Sequence, residues 1–336
     1  MLDGSQLAQA CRQHGVAFVG PSADALALCG DKEKARLVAA KAGLAVVPGA
    51  IVATAAAAQA AFGKISSGAG AVLKAVNGGG GKGIRHIGNA AQCDEAYERC
   101  ASEARRSFGD GTLLLERYVP RARHIEVQLL VDSTGEVAHL GDRDCSIQRN
   151  FQKIIEIAPA PLLPSDLRAA LHLDAVRFGE ALVEKGMLGL ATVEFLLDVD
   201  ASTYYFMECN PRLQVEATIT EQISGVDLVG TQLHLVYGMP LSQLLPSSRS
   251  ARSFPPSTPS PSSSPPSPST AACELQGSAV QARVSATSLA PISVYCEPRG
   301  PGIRVDSAAF AGMVPHPSFD PLLAKVSAAP ALGFRV

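Results

Sequence analysis

Residues 208–216 carry the pattern in this chain that points most directly to chemistry, because polar and apolar side chains alternate along them. Glu208, Asn210, Arg212, Gln214 and Glu216 occupy every second position, so an extended strand would project all of them from one face. A strand that only filled a core would not need such a row. We predict that these residues form one extended strand with a reactive face. The alternative is a solvated polar face.

A second strand is predicted just upstream, at Thr192-Val193-Glu194-Phe195-Leu196-Leu197, and residues 198–202 would form the turn of a β-hairpin. In that hairpin Glu194 would lie opposite Glu208, where two like charges destabilise the sheet unless something neutralises them. A hard divalent cation such as Mg²⁺ takes oxygen ligands, and Asn210 could supply a third one. The hairpin therefore predicts a metal site.

A glycine-rich segment follows the short apolar strand predicted at residues 71–76. Its glycines, which include Gly79, Gly80, Gly81 and Gly83, would let backbone N–H groups approach a phosphate closely, and Lys74 would add a positive charge. The segment is not a Walker A loop, because Gly83 rather than Ser or Thr follows its lysine. A flexible solvent loop is the alternative.

Further motifs extend this pattern along most of the chain, in a fixed order. They are Val19-Gly20-Pro21-Ser22, Gly30-Asp31-Lys32, Leu73-Lys74-Ala75, Arg123-His124-Ile125-Glu126-Val127-Gln128, Arg143-Asp144-Cys145-Ser146-Ile147-Gln148-Arg149, Gln152-Lys153, Val193-Glu194-Phe195, Thr220-Glu221, Gly225-Val226-Asp227-Leu228, Gly300-Pro301-Gly302-Ile303-Arg304-Val305-Asp306 and Phe319-Asp320-Pro321-Leu322-Leu323-Ala324-Lys325. Together they resemble the biotin carboxylases of the ATP-grasp superfamily. These are the biotin-carboxylating domains of acetyl-CoA, propionyl-CoA, pyruvate and urea carboxylases.

The resemblance implies ATP and Mg²⁺ or Mn²⁺ as ligands, with biotin as the acceptor supplied by another chain. Glu194, Glu208 and Asn210 would bind the metal. Residues implied to contact ATP are Lys32, Lys74, Gly79, Gly80, Gly81, Gly83, Glu116, Arg117, Tyr118, Val119, His124, Glu126 and Gln148. Among these, the lysines would hold phosphates and residues 116–119 would run along the adenine.

For the reaction itself, the resemblance implies that Arg212, Gln214 and Val215 bind bicarbonate and that Glu216 is the general base. Bicarbonate would attack the γ-phosphate of ATP, and the carboxyphosphate formed would release CO₂ to biotin. Arg283 would stabilise the biotin enolate, and Lys153 would assist at the metal and phosphates. A guanidinium suits a planar oxyanion better than an ammonium does.

The predicted fold class is α+β, an ATP-grasp fold with a partial biotin carboxylase C-terminal subdomain. We expect residues 1–30 to be a remnant of an N-terminal Rossmann-like subdomain, so that the chain is truncated there. Residues 31–245 would form the nucleotide-binding and catalytic domain. Residues 246–272 are rich in Pro and Ser and would be a disordered insertion. Residues 273–336 would be the partial C-terminal subdomain.

Composition is typical of a globular α/β enzyme: 47% of the residues are hydrophobic and the formal net charge is −2. We predict no nucleic-acid partner and no membrane insertion. Expected partners are a biotin carboxyl carrier protein or domain, a carboxyltransferase subunit and a second copy of the chain. The default compartment is the cytoplasm, and a mitochondrion or plastid is the alternative if a targeting segment precedes Met1.

Two other functions stay open at this point. The first is an inactive or nucleotide-binding-only remnant. It is suggested by the expected truncation and by Ala217 and Phe151, which stand where the biotin carboxylases usually carry histidine or another polar residue. The second is another ATP-grasp ligase with a different acceptor. Arg283 and the run Gln214-Val215-Glu216 argue against that second function.

Overall fold

The computed structural model describes residues 4–66, 68–78, 83–245 and 275–330. Its helices are α1 (Gly4–Gln13), α2 (Ala23–Gly30), α3 (Lys32–Lys41), α4 (Ala55–Ile65), α5 (Cys93–Phe108), α6 (Ser165–Val183), α7 (Ala217–Ser224), α8 (Leu228–Val236) and α9 (Leu241–Leu244). Its strands are β1 (Gly49–Val52), β2 (Ala71–Ala75), β3 (Ile84–Ile87), β4 (Leu113–Arg117), β5 (Ala122–Val131), β6 (Val137–Arg149), β7 (Gln152–Ala158), β8 (Gly189–Asp198), β9 (Thr203–Asn210), β10 (Ala279–Ser285), β11 (Ile303–Ser307) and β12 (Leu322–Ala328).

The strands form two antiparallel sheets. The smaller sheet has the order β1-β4-β2-β3, and the larger one has the order β11-β12-β10-β7-β6-β5-β8-β9. Strands β10 to β12 therefore extend the same sheet that carries the predicted metal hairpin. The segregated helices and antiparallel sheets confirm the predicted α+β class.

The small sheet packs against helices on one face, and the large sheet packs against helices on both of its faces. Helices α4 and α5 cover the small sheet, burying Phe62, Leu73 and Tyr97 with their neighbours. Helix α6 packs on β5 and β6 of the large sheet, where Phe178 lies 4.7 Å, between ring centroids, from Phe206. Burial of an aromatic side chain of this size contributes about 1.5–3 kcal/mol, so these two clusters fix the sheets as rigid platforms.

Asp31, a residue type that favours the N-cap position, predicts a helix that begins after it, and α3 does begin at Lys32. The Asp31 carboxylate accepts hydrogen bonds from the backbone N–H groups of Glu33 and Lys34, which otherwise lack partners in the first turn. This cap fixes Lys32 at the first position of the helix. Asn89 is also a residue type that caps helices, and its position predicts a helix from there through Phe108. The predicted cap is wrong, because a 3₁₀ turn at residues 90–92 intervenes and the Asn89 side chain makes no cap bond.

The prediction of one continuous strand over residues 208–216 is also wrong. Strand β9 ends at Asn210, and the chain then turns until α7 begins at Ala217. Pro211 explains the stop, because it has no N–H group to donate to the next strand. The turn brings Glu216 to the N-terminal end of α7 instead of leaving it on the strand.

Gly79, Gly80 and Gly81 of the predicted phosphate loop lie outside the described residues, as does the predicted insertion at 246–272. Gly83, which ends the loop, has a φ of +68°, and a Cβ atom there would lie 2.9 Å from the Cβ of Ala75. Only glycine fits that position without a shift. In the described part of the chain, no helix has the length and apolar content needed to cross a membrane.

Candidate active site

A cavity of about 680 Å³ lies between the two sheets. The small sheet and the segment after β4 form one wall, and β5, β6, β8 and β9 form the other. The predicted site residues that line the cavity are Lys32, Lys74, Glu116, Arg117, Tyr118, Val119, His124, Gln148, Lys153, Glu194, Glu208, Asn210, Arg212, Gln214, Val215, Glu216 and Arg283. Glu126 and Gly83 are described but do not line it.

The predicted hairpin of β8 and β9 is confirmed. Glu194 pairs directly with Glu208 in the register, and the turn lies between Asp198 and Thr203. The Asn210 amide donates to both carboxylates, at 2.8 Å to Glu194 and 3.2 Å to Glu208. Lys32 also approaches Glu208 at 3.6 Å. The two like charges are therefore held together by an amide and an ammonium.

Lys153, on β7, is the centre of a buried ionic cluster. Its ammonium lies 2.8 Å from Glu126, 3.3 Å from Glu194 and 2.5 Å from Glu216. Burial lowers the pKa of Lys153, but the surrounding carboxylates outweigh that effect and hold its pKa well above the ordinary value. Lys153 is thus a permanent cation that draws together three acidic side chains, two from strands β5 and β8 and one from the turn before α7.

Glu126 and Arg143 lie beneath this cluster and are fully buried. The Arg143 guanidinium donates to Glu126, Gln128, Thr192, Gln214 and Thr220. Its role is to hold β5, β6, β8 and the β9–α7 turn in register. Arg143 has no predicted role, although a single arginine in the middle of a strand is itself a signal for buried pairing.

Glu216 is held from two sides. Lys153 contacts its Oε1 atom, and Arg283 Nη2 donates to its Oε2 atom at 3.0 Å. Arg283 lies on β10, and its Nε donates to Glu156 at 2.6 Å. Glu156 also has no predicted role, although it is a charged residue in the otherwise apolar run Ile154-Ile155-Glu156-Ile157-Ala158.

The turn after β9 presents a second cationic group to the cavity. The Arg212 guanidinium is exposed and donates to Leu213 O and Asn210 Oδ1, both in its own turn. Gln214 is buried, and its amide donates to Glu194 at 3.0 Å. The backbone carbonyl of Val215 accepts from Lys325 on β12. These contacts fix the turn on the metal hairpin from one side and on the C-terminal strands from the other.

The opposite end of the cavity combines a charged rim with apolar walls. Lys74 lies 2.7 Å from Glu116, and Arg36 of α3 also contacts that carboxylate. The Gln148 amide donates to Cys145 O and lies 3.0 Å from the His124 ring. The apolar wall residues are Val72, Ile84, Leu114, Val119, Leu196 and Met207. A slot of this kind fits a flat, largely apolar ring with polar edges.

Two groups of donor atoms in the described residues are spaced closely enough to share a cation. One comprises His124, Glu126 and Glu194, and the other comprises Glu126, Cys145 and Glu216. Glu194 alone belongs both to the first group and to the predicted metal set. Burial, together with the charge of Glu126, raises the pKa of the Cys145 thiol well above its ordinary value, so this sulfur is protonated and a poor ligand. The carboxylates of Glu194 and Glu208 provide the hard oxygen donors that Mg²⁺ favours.

Comparison with known proteins agrees with this geometry. The sequence profile of the family described as "Carbamoyl-phosphate synthase L chain, ATP binding domain" matches residues 31–244. Pyruvate carboxylase 1 of Caenorhabditis elegans is 42% identical over 333 residues, covering 96% of this chain and 26% of that protein. Human mitochondrial pyruvate carboxylase is 39% identical with the same coverage. The chain thus spans about a quarter of the length of the curated relatives it matches.

Two solved structures share the fold. A biotin carboxylase from Campylobacter jejuni has a TM-score of 0.83 and 33% identity, over 97% of this chain and 68% of that one. The biotin carboxylase domain of the Hydrogenobacter thermophilus 2-oxoglutarate carboxylase has a TM-score of 0.84 and 34% identity, with the same coverage. That second structure is a dimer in complex with MgADP, ADP and bicarbonate.

Two antiparallel sheets that enclose a lysine-rimmed cavity with paired carboxylates define an ATP-grasp protein, which confirms the predicted fold. Within that class, the chain belongs to the carbamoyl-phosphate synthase L chain ATP-binding family, among its biotin carboxylase domains.

Proposed function

We propose that this chain carboxylates biotin at the expense of ATP, with bicarbonate as the source of carbon, as the biotin carboxylase part of a biotin-dependent carboxylase. The observation that carries the proposal is the position of Glu216. This carboxylate faces the cavity between a lysine and an arginine, beside a pair of carboxylates suited to a metal. A base, an anion-binding group and a metal site would then lie in the same cavity.

ATP would enter with its adenine in the apolar slot along Glu116, Arg117, Tyr118 and Val119. Lys32 and Lys74 would contact its phosphates, as would the glycine segment that ends at Gly83. Both lysines now contact carboxylates, at 3.6 Å and 2.7 Å, so nucleotide binding would exchange carboxylate partners for phosphate oxygens. His124 and Gln148 would border the nucleotide, and Glu126 would act from below through Lys153.

The donor set fits a divalent cation at the hairpin, since Glu194 and Glu208 lie opposite each other with Asn210 at the same edge. These three residues would hold Mg²⁺ or Mn²⁺, and the bound cation would supply positive charge that offsets the negative charge developing during phosphoryl transfer. Lys153 and His124 both contact Glu194, at 3.3 Å and 2.5 Å. Lys153 contacts Oε1 and His124 contacts Oε2, so both oxygens of Glu194 are held in place.

Bicarbonate would lie against Arg212, Gln214 and the backbone of Val215. Glu216 would remove its proton, and the oxygen that is freed would attack the γ-phosphorus of ATP, so that an O–P bond forms and ADP leaves. Carboxyphosphate then breaks into CO₂ and phosphate. The phosphate takes the proton from biotin N1, and N1 bonds to CO₂ while Arg283 stabilises the biotin enolate.

Biotin would reach the cavity on a carrier protein or domain, and a carboxyltransferase would consume the carboxylated biotin. The final acceptor is set by that second enzyme. Relatives include pyruvate carboxylases and a 2-oxoglutarate carboxylase, and the latter's biotin carboxylase domain is dimeric. A homodimer is therefore proposed for this chain as well. The mammalian relatives are mitochondrial, which favours that compartment over the cytoplasm if the protein is eukaryotic.

The test is ADP release by the purified chain with MgATP, with and without bicarbonate and free biotin, beside a Glu216→Gln variant. We expect release that needs both small molecules and that disappears in the variant, while ATP binding by calorimetry stays unchanged. Release that ignores bicarbonate and biotin would indicate another reaction. ATP binding without release would favour the alternative, a nucleotide-binding protein that does not carboxylate.

A further inference from the structure

Glu156 is a fully buried carboxylate whose charge the proposed reaction does not use. It lies inside β7, where isoleucines precede and follow it, and its side chain has no exposure to solvent. A buried charge is costly unless it is paired and hydrogen-bonded. Burial accordingly raises the pKa of Glu156, although Arg283 acts in the opposite direction. Its retention in the core calls for a specific partner.

That partner is Arg283, whose guanidinium is divided between two carboxylates. Nε donates to Glu156 Oε1 at 2.6 Å, and Nη2 donates to Glu216 Oε2 at 3.0 Å. A free guanidinium prefers to bind one carboxylate with two parallel hydrogen bonds. Glu156 engages Nε and so closes the Nε–Nη2 edge to Glu216, which in this structure accepts from Nη2 alone.

A second chain of hydrogen bonds closes the arrangement into a ring. Gln281 lies opposite Glu156 in the β10–β7 register, and its amide donates to Glu156 Oε2 at 3.1 Å. The Thr218 hydroxyl in turn donates to Gln281 Oε1. Thr218 lies in the first turn of α7, two residues after Glu216, so the backbone connects the two. The ring therefore runs from Glu156 through Arg283 to Glu216, and returns to Glu156 through Thr218 and Gln281.

We propose that Glu156 is a positioning residue, which holds Arg283 so that only one of its nitrogens reaches Glu216. The rest of the guanidinium is then kept toward the cavity for an anionic intermediate. This inference rests on the proposed biotin carboxylation. Without Glu156, the Arg283 guanidinium would bind Glu216 with two hydrogen bonds. This pairing would hinder Glu216 as a base and would also move the positive charge away from the biotin enolate.

The kinetic test uses Glu156→Gln, which keeps the size of the side chain and removes its charge. We expect kcat for biotin-dependent ADP release to fall by at least about tenfold and KM for free biotin to rise, with KM for ATP unchanged. The control is Glu95→Gln, which removes an exposed carboxylate from an arginine pair on α5 and should leave all three values as they are.

A double-mutant cycle separates positioning from general structural support. If Glu156 acts through Arg283, adding Glu156→Gln to Arg283→Lys costs no more than Arg283→Lys alone, since the group being positioned is already lost. Independent effects that multiply in the double variant would overturn the proposal. Melting temperatures of all variants show whether each is folded, and Glu156→Asp replaces Glu156→Gln if the latter is not.

Crystal structures of the wild-type chain and Glu156→Gln give a readout that does not depend on turnover. We expect Arg283 to move and to bind Glu216 through two nitrogens in the variant. An unmoved Arg283 would overturn the positioning role even if activity fell. Failure of the wild-type chain to release ADP with bicarbonate and biotin would instead refute the proposed function, and the crystal structures would still decide how Glu156 acts on Arg283.

Discussion

Glu194 lies directly opposite Glu208 on the β8–β9 hairpin, and the Asn210 amide donates to both of their carboxylates. Two like charges facing each other across a hairpin destabilise it, so the arrangement is held by its neighbours rather than by the strands. A cation bound between them would strengthen the hairpin. Metal binding at this hairpin would therefore be coupled to the stability of the sheet.

Glu208→Gln is expected to weaken metal binding. Removing one of two carboxylate ligands should raise the Mg²⁺ concentration needed for half-maximal ADP release by at least about tenfold, since loss of outer-shell partners alone has effects of that size. The measurement is an Mg²⁺ titration at saturating ATP. Asp200→Asn in the turn of the same hairpin is the matched control, because Asp200 is exposed and pairs with Arg121. An unchanged titration in Glu208→Gln would exclude Glu208 as a ligand.

Lys153→Met is expected to destabilise the fold as well as to abolish activity. Among the described residues, it removes the only ammonium within 4 Å of Glu216, and it leaves the buried carboxylates of Glu126 and Glu194 with less compensation. Breaking one side of a buried pair costs about 3–5 kcal/mol. Urea unfolding followed by circular dichroism would measure the loss. Lys64→Met on the exposed side of α4 should change the midpoint little, and equal loss in both variants would contradict the assigned role.

The environment of His139 predicts that the free energy of unfolding falls in mild acid. Burial and the stacked ring of His172, 4.2 Å away between centroids, lower the pKa of His139 to about 4, against the opposing charge of Asp142. The Gly141 N–H donates to His139 Nδ1, which requires that nitrogen to be unprotonated. Between about pH 6.5 and 4 the unfolded chain then binds more protons than the folded one, so stability falls as the pH falls through this window.

The contribution of His139 to the pH dependence of stability is bounded by the shift of its pKa, from 6.5 to about 4, at about 3.4 kcal/mol. His139→Gln should therefore lose less stability between pH 7 and pH 4.5 than the wild type does, in urea unfolding at each pH. His234→Gln on the exposed face of α8 serves as the control. Parallel stability curves for the wild type and His139→Gln would show that His139 does not titrate with unfolding.

The backbone conformation of Phe151 predicts that glycine at this position would stabilise the fold. Asn150 and Phe151 form the two-residue turn between β6 and β7, with φ values of 52° and 61°. Such turns favour glycine at their second position, and a bulky side chain there is strained. Because 57% of Phe151 is exposed, its packing offsets little of that strain. Phe151→Gly should raise the free energy of unfolding by about 0.5–1 kcal/mol. A fall would show that the ring packs favourably at the cavity mouth.

Local patterns in the sequence were sufficient for the elements that depend on neighbouring residues. The alternation around Glu194 and Glu208 gave the hairpin and its register, and Asp31 marked the start of α3. The same alternation predicts a strand that runs too far, past Pro211, because every second residue is still polar after the strand has ended. Arg212, Gln214 and Glu216 do line the same cavity as the hairpin residues, but a turn places them there rather than the face of one strand.

The parts that the sequence reasoning missed depend on contacts between distant segments. Arg143 finds partners on three other elements, the farthest of them 77 positions along the chain. Glu156 and Arg283 are 127 positions apart. No periodicity within either strand records such a pairing. A lone charge in an apolar strand indicates only that a partner exists, and the fold has to supply its identity.

Because β10 pairs with β7, its late position in the chain determines when the large sheet can be completed during synthesis. β7 obtains its outer neighbour only when Gln281, 125 positions beyond Glu156, has been made. At about 5–20 residues per second, a ribosome needs roughly 6–25 s to cover that distance. Throughout that interval the edge of β7 is open to pairing with other nascent chains. Arg283 reaches Glu216 only afterwards, so this end of the cavity is among the last features of the molecule to form.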